Sequence, residues 1–354
     1  MKTILHIVGN RPQFIKLAVL YNELAKDADL KQKIIHTGQH YSSNMSDIFF
    51  TELQIPLPNV NFNIQHNSPH VFIGQAAESL YNYFLTEQNA VVFTYGDTNT
   101  TLAAAMAAKR GSLPLIHFEA GVRTYDNSMP EESNRILTDR LADVNYCCTE
   151  QNFSCMRSEG YGFSIKSEVV LTGDLMLDAF LKIPPATSKI TDHKKYIVCT
   201  IHREANLLNK KKLTNIIAAL NNIHSLFPVV MPVHPHTKKR LNEYGLTTNF
   251  TLLEPLGYAD MKALLSEAEY IITDSGGTSR EAYFLKKKSL VVMDYPFWPE
   301  IINANCSIQT SADTDAIINN LNLLPQLQPN FTVNIFGTGN AAENIRKHLA
   351  VYLT

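Results

Sequence analysis

Short runs rich in β-branched residues alternate with helical patterns along almost the whole chain, and this alternation is what most restricts the fold. Residues 4–8, 91–95 and 196–201 have the composition of buried strands, and stretches such as 101–109 and 213–226 have helical spacing of apolar residues. Strands that alternate with helices are typical of parallel sheets covered by helices on both faces. The sequence therefore predicts an α/β protein.

The alternation is interrupted once, in a stretch that begins with Pro184-Pro185-Ala186-Thr187-Ser188 and continues with polar residues to position 195. A new strand pattern starts at Tyr196. The chain has 354 residues, enough for two domains that each bury a core. We predict two Rossmann-like domains facing a cleft, at 1–183 and 196–335, and a final amphipathic helix at 340–354 that packs back on the first domain.

Polar motifs follow six of the predicted strands. In open parallel sheets, ligands bind beyond the carboxyl ends of the strands. Because the motifs are divided between both domains, they predict one site in the cleft. They are Gly9-Asn10-Arg11-Pro12, Gly96-Asp97-Thr98, Glu119-Ala120-Gly121, His202-Arg203, His234-Pro235-His236 and Asp274-Ser275-Gly276-Gly277.

The motif at Asp274-Ser275-Gly276-Gly277 lies between a predicted strand and a predicted helix. Glycines allow close approach of the backbone to a ligand, and the N–H groups at a helix start bind phosphate. Glu281 would lie within two turns of that start, within reach of a ribose hydroxyl. The alternative is an ordinary strand-to-helix turn with a serine cap.

Arg11 and Lys16 would place two cations near the start of the first helix, where they could bind a diphosphate. A cation at a helix N-terminus is opposed by the helix dipole, which favours a functional interpretation over two ordinary surface cations. His202 and His234, each at a strand end, could supply further positive charge to a leaving diphosphate, although single histidines are more often structural.

Asp97 and Glu119 each follow a buried strand of the first domain. Apolar neighbours would favour their protonated forms and make them proton carriers. Glu131 and Glu132 follow Pro130 at a helix start, where carboxylates commonly stabilise the helix. For Glu132 we predict that structural role.

Composition excludes several other classes. The net charge of −2 provides no basic field for nucleic acid or an acidic membrane, and no apolar run is long enough to span a bilayer. The GxGxxA match at Gly337 to Ala342 comes too near the chain's end to open a βαβ unit, so it is not a dinucleotide fingerprint. Five cysteines without metal-ligand spacing indicate thiols in a reducing, cytoplasmic compartment.

In order and spacing, the motifs resemble those of the non-hydrolysing UDP-N-acetylglucosamine 2-epimerases over nearly the whole chain. The matching segments are Arg11-Pro12-x-x-Ile15-Lys16, Gln39-His40, Gly96-Asp97-Thr98, His117-x-Glu119-Ala120-Gly121-x-Arg123-Thr124, Pro130-Glu131-Glu132-x-Asn134-Arg135, His202-Arg203, Pro232-Val233-His234 and Asp274-Ser275-Gly276-Gly277.

The resemblance implies a GT-B-like architecture, a homodimer, and a reaction without metal or organic cofactor. The family eliminates UDP across C1–C2 to give a 2-acetamidoglucal, then adds UDP back after protonation of the other face. It implies that Asp97, Glu119 and Glu131 handle protons and that His202 assists departure of UDP. It also implies substrate or UDP contacts, which are Arg11, Lys16, Arg135, Arg203, His234, Ser275, Gly276, Gly277 and Glu281.

Two positions depart from the family's usual pattern. Gln13 stands where many members carry Glu, and Trp298 lies in a segment where many carry Arg. With His36-Thr37-Gly38-Gln39-His40-Tyr41 and Asn44-Met45-Ser46-Asp47, these features look more like the branch acting on UDP-2,3-diacetamido-2,3-dideoxyglucuronate. Gln39-His40 also leaves open a second, activating sugar nucleotide.

Three other functions remain as alternatives. A glycosyltransferase of the same architecture would need an acceptor and only one carboxylate base. A hydrolysing epimerase would release UDP and the free amino sugar. A non-catalytic nucleotide-sugar sensor would be expected to lack Asp97, Glu119 or His202, and all three are present.

Overall fold

The computed structural model describes residues 2–38, 50, 53–66, 68–87, 89–126 and 128–353. The chain divides into two compact units, one of Met1–Lys182 with Phe336–Thr354 and one of Ile183–Ile335. Each unit contains a parallel sheet with helices between its strands. The predicted class of two parallel α/β domains is therefore confirmed.

The first unit has a parallel sheet in the order β3-β2-β1-β4-β5-β6-β7. Its strands are β1 Thr3–Val8, β2 Lys31–His36, β3 Val60–Asn61, β4 Ala90–Tyr95, β5 Leu115–Phe118, β6 Val144–Cys147 and β7 Glu168–Leu171. Its helices are Arg11–Leu24, Pro69–Phe84, Asn99–Arg110, Pro130–Leu141, Glu150–Ser158, Leu175–Lys182 and Ala341–Tyr352.

The central strands of this sheet are apolar on both faces. Every residue of β1, β4 and β5 is buried, as expected when helices cover both sides of a parallel sheet. One core layer packs β1 and β4 against the alanine-rich helix Asn99–Arg110. Because β1 pairs with β4 and β4 with β5, all in parallel, the carboxyl ends of these three strands lie side by side. The strand order of the sheet reverses between β1 and β4.

The second unit has a parallel sheet in the order β10-β9-β8-β11-β12-β13. Its strands are β8 Ile197–Thr200, β9 Val229–Pro232, β10 Thr251–Leu253, β11 Tyr270–Thr273, β12 Ser289–Val292 and β13 Ser307–Thr310. Its α-helices are Glu204–Leu207, Lys210–His224, Pro235–Tyr244, Tyr258–Glu267, Gly276–Phe284, Pro299–Asn303 and Thr314–Leu323, and a 3₁₀ turn follows at Leu324–Gln326.

Two strands were not predicted from the sequence. β3 has only two residues at the edge of its sheet, and β13, Ser-Ile-Gln-Thr, lacks an apolar run. The stretch 183–195 belongs to the second unit rather than lying between domains. The N–H of Ala186 donates to the carbonyl of Ala259, and Lys262 donates to the carbonyl of Ile183.

The last helix, Ala341–Tyr352, belongs to the first unit and packs on the helices Arg11–Leu24 and Leu175–Lys182. Asp178 accepts hydrogen bonds from the N–H groups of Ala341 and Ala342 at 3.1 and 2.8 Å. The GxGxxA segment thus begins a helix whose first N–H groups are occupied by a protein carboxylate.

Candidate active site

Two carboxylates of the first unit follow neighbouring strands. Asp97 comes after β4 and Glu119 after β5, and these strands pair directly. The chain turns sharply at both places, since Gly96 has φ +66° and Glu119 has φ +75°. A left-handed backbone is uncommon for a residue other than glycine and often marks a functional site.

Glu119 pairs with Lys16, which lies in the first turns of the helix Arg11–Leu24. The amine of Lys16 contacts Oε2 of Glu119, and the two side chains are only 4% and 8% exposed. Removed from water, an ion pair holds each partner far more firmly than at a surface. The pair joins two motifs that lie 103 positions apart in the sequence.

Asp97 pairs with Arg135, on the helix Pro130–Leu141. The guanidinium of Arg135 contacts Oδ2 of Asp97 and lies 3.8 Å from Oε2 of Glu132. The side chain of Asn134 also donates to the main-chain carbonyl of Asp97, at 3.0 Å. The expectation of apolar surroundings for Asp97 and Glu119 is therefore wrong, because each carboxylate contacts a buried cation.

Glu131 and Arg11 lie at the starts of two helices in this unit. Glu131 is half-buried, one turn before Arg135 on the same helix, and residues four apart on a helix are neighbours. Arg11 is the first residue of its helix and is half-buried. Their roles as proton carrier and diphosphate contact stay predictions.

Glu132 is a structural residue, and its observed contacts hold a loop; the stabilisation of a helix start that we predicted for it stays a prediction. It is buried, and its carboxylate accepts from the N–H and hydroxyl of Thr124 at 2.9 and 3.0 Å and from the N–H of Tyr125 at 3.0 Å. It thereby fixes the loop that follows Glu119.

Gln13 is a buried link between the first and fourth strands that our site prediction left out. Its Oε1 accepts from the N–H of Gly9 at 2.7 Å, and its amide donates to the carbonyl of Tyr95 at 2.8 Å. The same amide donates to Thr98 and Thr101 at 3.0 Å. Its place in the Arg-Pro motif was the available signal.

Three charged side chains of the first unit, those of His117, Arg123 and Asp139, form a buried cluster. Asp139 contacts Nδ1 of His117 at 2.7 Å and a guanidinium nitrogen of Arg123 at 2.7 Å. Burial raises the pKa of Asp139, but its hydrogen bond to His117 and the charges of His117 and Arg123 outweigh this and lower the pKa below its ordinary value. Asp139 was absent from the predicted site.

Within the described residues, one group of side chains has the spacing of metal ligands. Oxygen or sulfur atoms of Glu119, Cys148 and Asp174 lie within 4.8 Å of one another, and all three residues are buried. The amine of Lys16 already places a positive charge against Glu119. We therefore assign these residues no metal.

In the second unit, Asp274 holds the segment that follows β8. This fully buried carboxylate accepts from the N–H of His202 at 3.0 Å, the N–H of Arg203 at 3.0 Å and the side chain of Asn206 at 3.0 Å. The imidazole of His202 stays 40% exposed, with Nδ1 3.8 Å from Asp274. Asp274 thus presents a histidine at the strand end.

His234 and His236 follow the neighbouring strand β9. The ring of His234 lies 6.4 Å from that of His202 and 5.5 Å from that of His236. His234 precedes the helix Pro235–Tyr244, and its Nδ1 accepts from the N–H of His236 at 3.3 Å. The structure therefore brings the predicted histidines into one group.

Ser275 caps the helix Gly276–Phe284, where its hydroxyl accepts from the N–H of Thr278 at 3.3 Å. The indole N–H of Trp298 donates to the carbonyl of Gly276 at 2.9 Å. A Cβ on Gly276 would lie 3.1 Å from the ring of Phe297, so the ring packs tightly against this glycine. Trp298 and Phe297 thus fix a helix start suited to binding an anion.

The cations of this unit lie over the same aromatic pair. The guanidinium of Arg203 lies 4.5 Å from the ring centre of Phe297, and that of Arg280 lies 4.6 Å from Trp298. Glu281 is half-buried on the helix Gly276–Phe284. Burial lowers the pKa of Lys262, and the negative charge of Glu281 offsets part of this decrease. Trp298 is therefore a buried support rather than an exposed substitute for an arginine.

Two sequence features fall on residues that the structure does not describe. These are Gln39-His40, which raised the question of a second nucleotide, and Asn44-Met45-Ser46-Asp47. Among the described helices, none has the length and apolar character needed to cross a membrane.

Known proteins resemble the chain over nearly its full length. A family model described as UDP-N-acetylglucosamine 2-epimerase matches residues 22–350. UDP-2,3-diacetamido-2,3-dideoxy-D-glucuronate 2-epimerase of Pseudomonas aeruginosa is 35% identical over 351 residues, which cover 98% of this chain and 99% of that protein. A UDP-N-acetylglucosamine 2-epimerase homolog of Methanococcus maripaludis is 37% identical over 357 residues, which cover 97% and 98%.

The fold matches a solved structure equally well. Methanocaldococcus jannaschii UDP-GlcNAc 2-epimerase, in complex with UDP-GlcNAc and UDP, superposes with a TM-score of 0.91 at 32% identity. The match covers 99% of this chain and 100% of that one.

Proposed function

Because the chain belongs to the UDP-N-acetylglucosamine 2-epimerase family, as its motifs predicted, we propose that it inverts C2 of UDP-N-acetylglucosamine to give UDP-N-acetylmannosamine, and the reverse. The reaction is non-hydrolysing, so UDP leaves and returns within one catalytic cycle. The chain is thus a carbohydrate epimerase that needs no acceptor.

The observation that carries this proposal is the pair of carboxylates at neighbouring strand ends, each held by a buried cation. Asp97 is paired with Arg135, and Glu119 with Lys16. The C2 hydrogen is not acidic, because no carbonyl adjoins C2. Its removal therefore has to accompany the departure of UDP from C1, with a base placed near C2. Two fixed carboxylates, with Glu131 nearby, supply groups for proton removal and return.

The second unit suits the leaving nucleotide. UDP departs as an anion, and charge develops on its β-phosphate. We assign the start of the helix Gly276–Phe284, the guanidinium of Arg203 and the imidazole of His234 to this diphosphate. His202 would assist its departure, and Glu281 would contact the ribose. Arg11, Lys16 and Arg135 complete the proposed substrate contacts from the first unit.

A second substrate is supported by particular observations. The Pseudomonas relative, matched over almost its whole length, is named as a 2-epimerase of UDP-2,3-diacetamido-2,3-dideoxy-D-glucuronate. The chain also carries Trp298 where many family members carry arginine. The alternative substrate is therefore this uronate, on which the same elimination and re-addition would act.

We also propose a setting for the enzyme. None of its five cysteines, all within the described residues, forms a disulfide, in agreement with a reducing cytoplasm. The product would supply the synthesis of a surface polysaccharide. We further propose a homodimer formed through the first unit, in which Met106, Ile136 and Leu137 expose apolar side chains on two helices that pack together.

Proton NMR in D₂O tests the function directly. The protein is incubated with UDP-N-acetylglucosamine alone and, in a second tube, with the diacetamido uronate. We expect UDP-N-acetylmannosamine with deuterium at C2, and no accumulation of free amino sugar. Turnover of the uronate alone would transfer the assignment to the alternative substrate. Free N-acetylmannosamine would indicate a hydrolysing enzyme, and no turnover in either tube would contradict an epimerase of these sugars.

A further inference from the structure

We propose that Asp139 is a positioning residue that holds the two carboxylate-bearing strand ends in place through a buried, protonated His117. Asp139 lies on the helix Pro130–Leu141 and is fully buried. The catalytic part of this inference rests on the proposed function, whereas the charge and the contacts of His117 can be measured without it.

One oxygen of Asp139 acts on the segment that carries Asp97. Oδ1 contacts Nδ1 of His117 at 2.7 Å, and Nε2 of His117 contacts the carbonyl of Gly96 at 2.7 Å. His117 lies within β5, so its ring reaches across to the end of β4. The carbonyl that it holds belongs to the peptide unit that joins Gly96 to Asp97.

The other oxygen of Asp139 acts on the segment that carries Glu119. Oδ2 accepts from the N–H of Gly121 at 3.2 Å and from Arg123 at 2.7 Å. A Cβ on Gly121 would come within 2.5 Å of the carbonyl of Asn152, so the chain is tightly confined there. Asp139 therefore fixes the turn that leaves Glu119 in its left-handed conformation.

The contacts of His117 determine its charge. The carbonyl of Gly96 is an acceptor only, and an ionised carboxylate is an acceptor only. Asp139 is ionised, because Arg123 and the N–H of Gly121 both donate to its second oxygen. Both ring nitrogens of His117 must therefore carry a proton, and the ring is an imidazolium buried within the unit.

The same helix links this cluster to the remaining site residues. Glu131 and Arg135 also belong to Pro130–Leu141, and Arg135 lies one turn before Asp139. This one helix thus contacts the ends of β4 and β5, and it carries Arg135, the cation that pairs with Asp97. Loss of Asp139 would loosen these groups relative to one another without removing any group assigned to bind substrate.

The decisive variant is Asp139→Asn, which keeps the shape of the side chain. With its oxygen toward the N–H of Gly121 and the guanidinium of Arg123, its NH₂ group would face Nδ1 of His117. That nitrogen would have to give up its proton, and the ion pair that joins the two strand ends would be lost. We expect kcat to fall by about 10²-fold, the effect of misplacing a catalytic group by about 1 Å. The Kd for UDP should change little, because the second unit is assigned to the nucleotide.

Two control variants each remove a carboxylate of the first unit, one that pairs with Arg123 and one that holds the start of β5. Glu159→Gln removes the other carboxylate that contacts Arg123, at 2.8 Å. Asp143→Asn removes the carboxylate that accepts from the N–H of Leu115 at the opposite end of β5. Both should keep kcat within about twofold of the wild type. A fall in these controls as large as in Asp139→Asn would reduce Asp139 to a general stabilising residue.

Histidine ¹⁵N NMR at pH 8 reads the cluster without substrate, with His117→Gln used to assign the signal. We expect both nitrogens of His117 to be protonated in the wild type, and the ring to become neutral in Asp139→Asn. A neutral His117 in the wild type, or an unchanged kcat in the variant, would overturn the inference. A wild type that epimerises neither sugar but shows the expected His117 signal would contradict the proposed function instead, leaving the structural role of Asp139 supported.

Discussion

Single residues explain why the first unit can hold charged groups in its interior. Glu119 and Asp97 are each paired with a cation, and Asp139 with two. Removing one partner of a buried pair leaves an uncompensated charge, so such pairs fix geometry even where they add little net stability. Asp97 and Glu119 could be predicted from their places at strand ends. Lys16 and Arg135 were also expected in the site, but their pairing with these carboxylates could not be predicted, since each pair joins residues that only the folded sheet brings together.

Replacement of Asp97 by asparagine separates binding from chemistry. Asp97→Asn keeps an oxygen for Arg135 but removes the group that carries a proton. We expect turnover to fall by about 10²-fold or more, the usual effect of losing an acid–base group. The Kd for UDP, measured by calorimetry, should stay within about twofold of the wild type.

The matched control for this variant is Glu87→Gln, which removes the carboxylate paired with Lys33 in the same unit, at 2.7 Å. Its turnover should be unchanged. Retained turnover in Asp97→Asn would remove Asp97 from the mechanism, and a large loss of UDP binding would assign it to the nucleotide instead.

At the level of elements, the helix Pro130–Leu141 shows why the sequence reveals only part of the site. Its buried positions include Glu132, Arg135 and Asp139, whereas Ile136 and Leu137 are 38% and 49% exposed. A helix normally turns its apolar face to the core. Here the charged face turns inward, so apolar periodicity predicts the helix but assigns its faces wrongly. The charged spacing of three and four residues was the available signal for Asp139.

The start of the helix Gly276–Phe284 makes a second prediction at this level. Trp298→Phe removes the indole N–H that donates to the carbonyl of Gly276 but keeps an aromatic ring over Arg280. Because the helix start would be less firmly held before UDP binds, we expect UDP to bind more weakly, by at most roughly fivefold, the factor that corresponds to the net value of about 1 kcal/mol for one hydrogen bond. Calorimetry with UDP measures the change.

Tyr295→Phe is the control for Trp298→Phe, because Tyr295 lies in the same segment and is 51% exposed. It should bind UDP as the wild type does. Unchanged affinity in Trp298→Phe would show that the indole contact does not support the nucleotide site. A change confined to turnover would instead connect this segment with the sugar.

For the molecule as a whole, the strand alternation predicted both parallel sheets because apolar strands covered on both faces have a strong sequence signal. The short edge strand β3 and the polar strand β13 carry no such signal. Where the second unit begins depends on contacts such as that between Ala186 and Ala259, which composition does not encode. The helix that contains Ile136 and Leu137 exposes both of these apolar side chains, since charged residues occupy its buried face.

That surface gives the last prediction, on the proposed homodimer. Leu137→Glu places a charge next to Ile136, on the helix that packs against the one carrying Met106. A charge in a buried interface without a partner is costly. We expect the wild type to have twice the mass of the chain by light scattering, and the variant to dissociate to a monomer at micromolar concentration. Leu226→Glu, at an exposed leucine of the second unit, should stay dimeric. A monomeric wild type would contradict the dimer, and a dimeric Leu137→Glu would place its interface elsewhere.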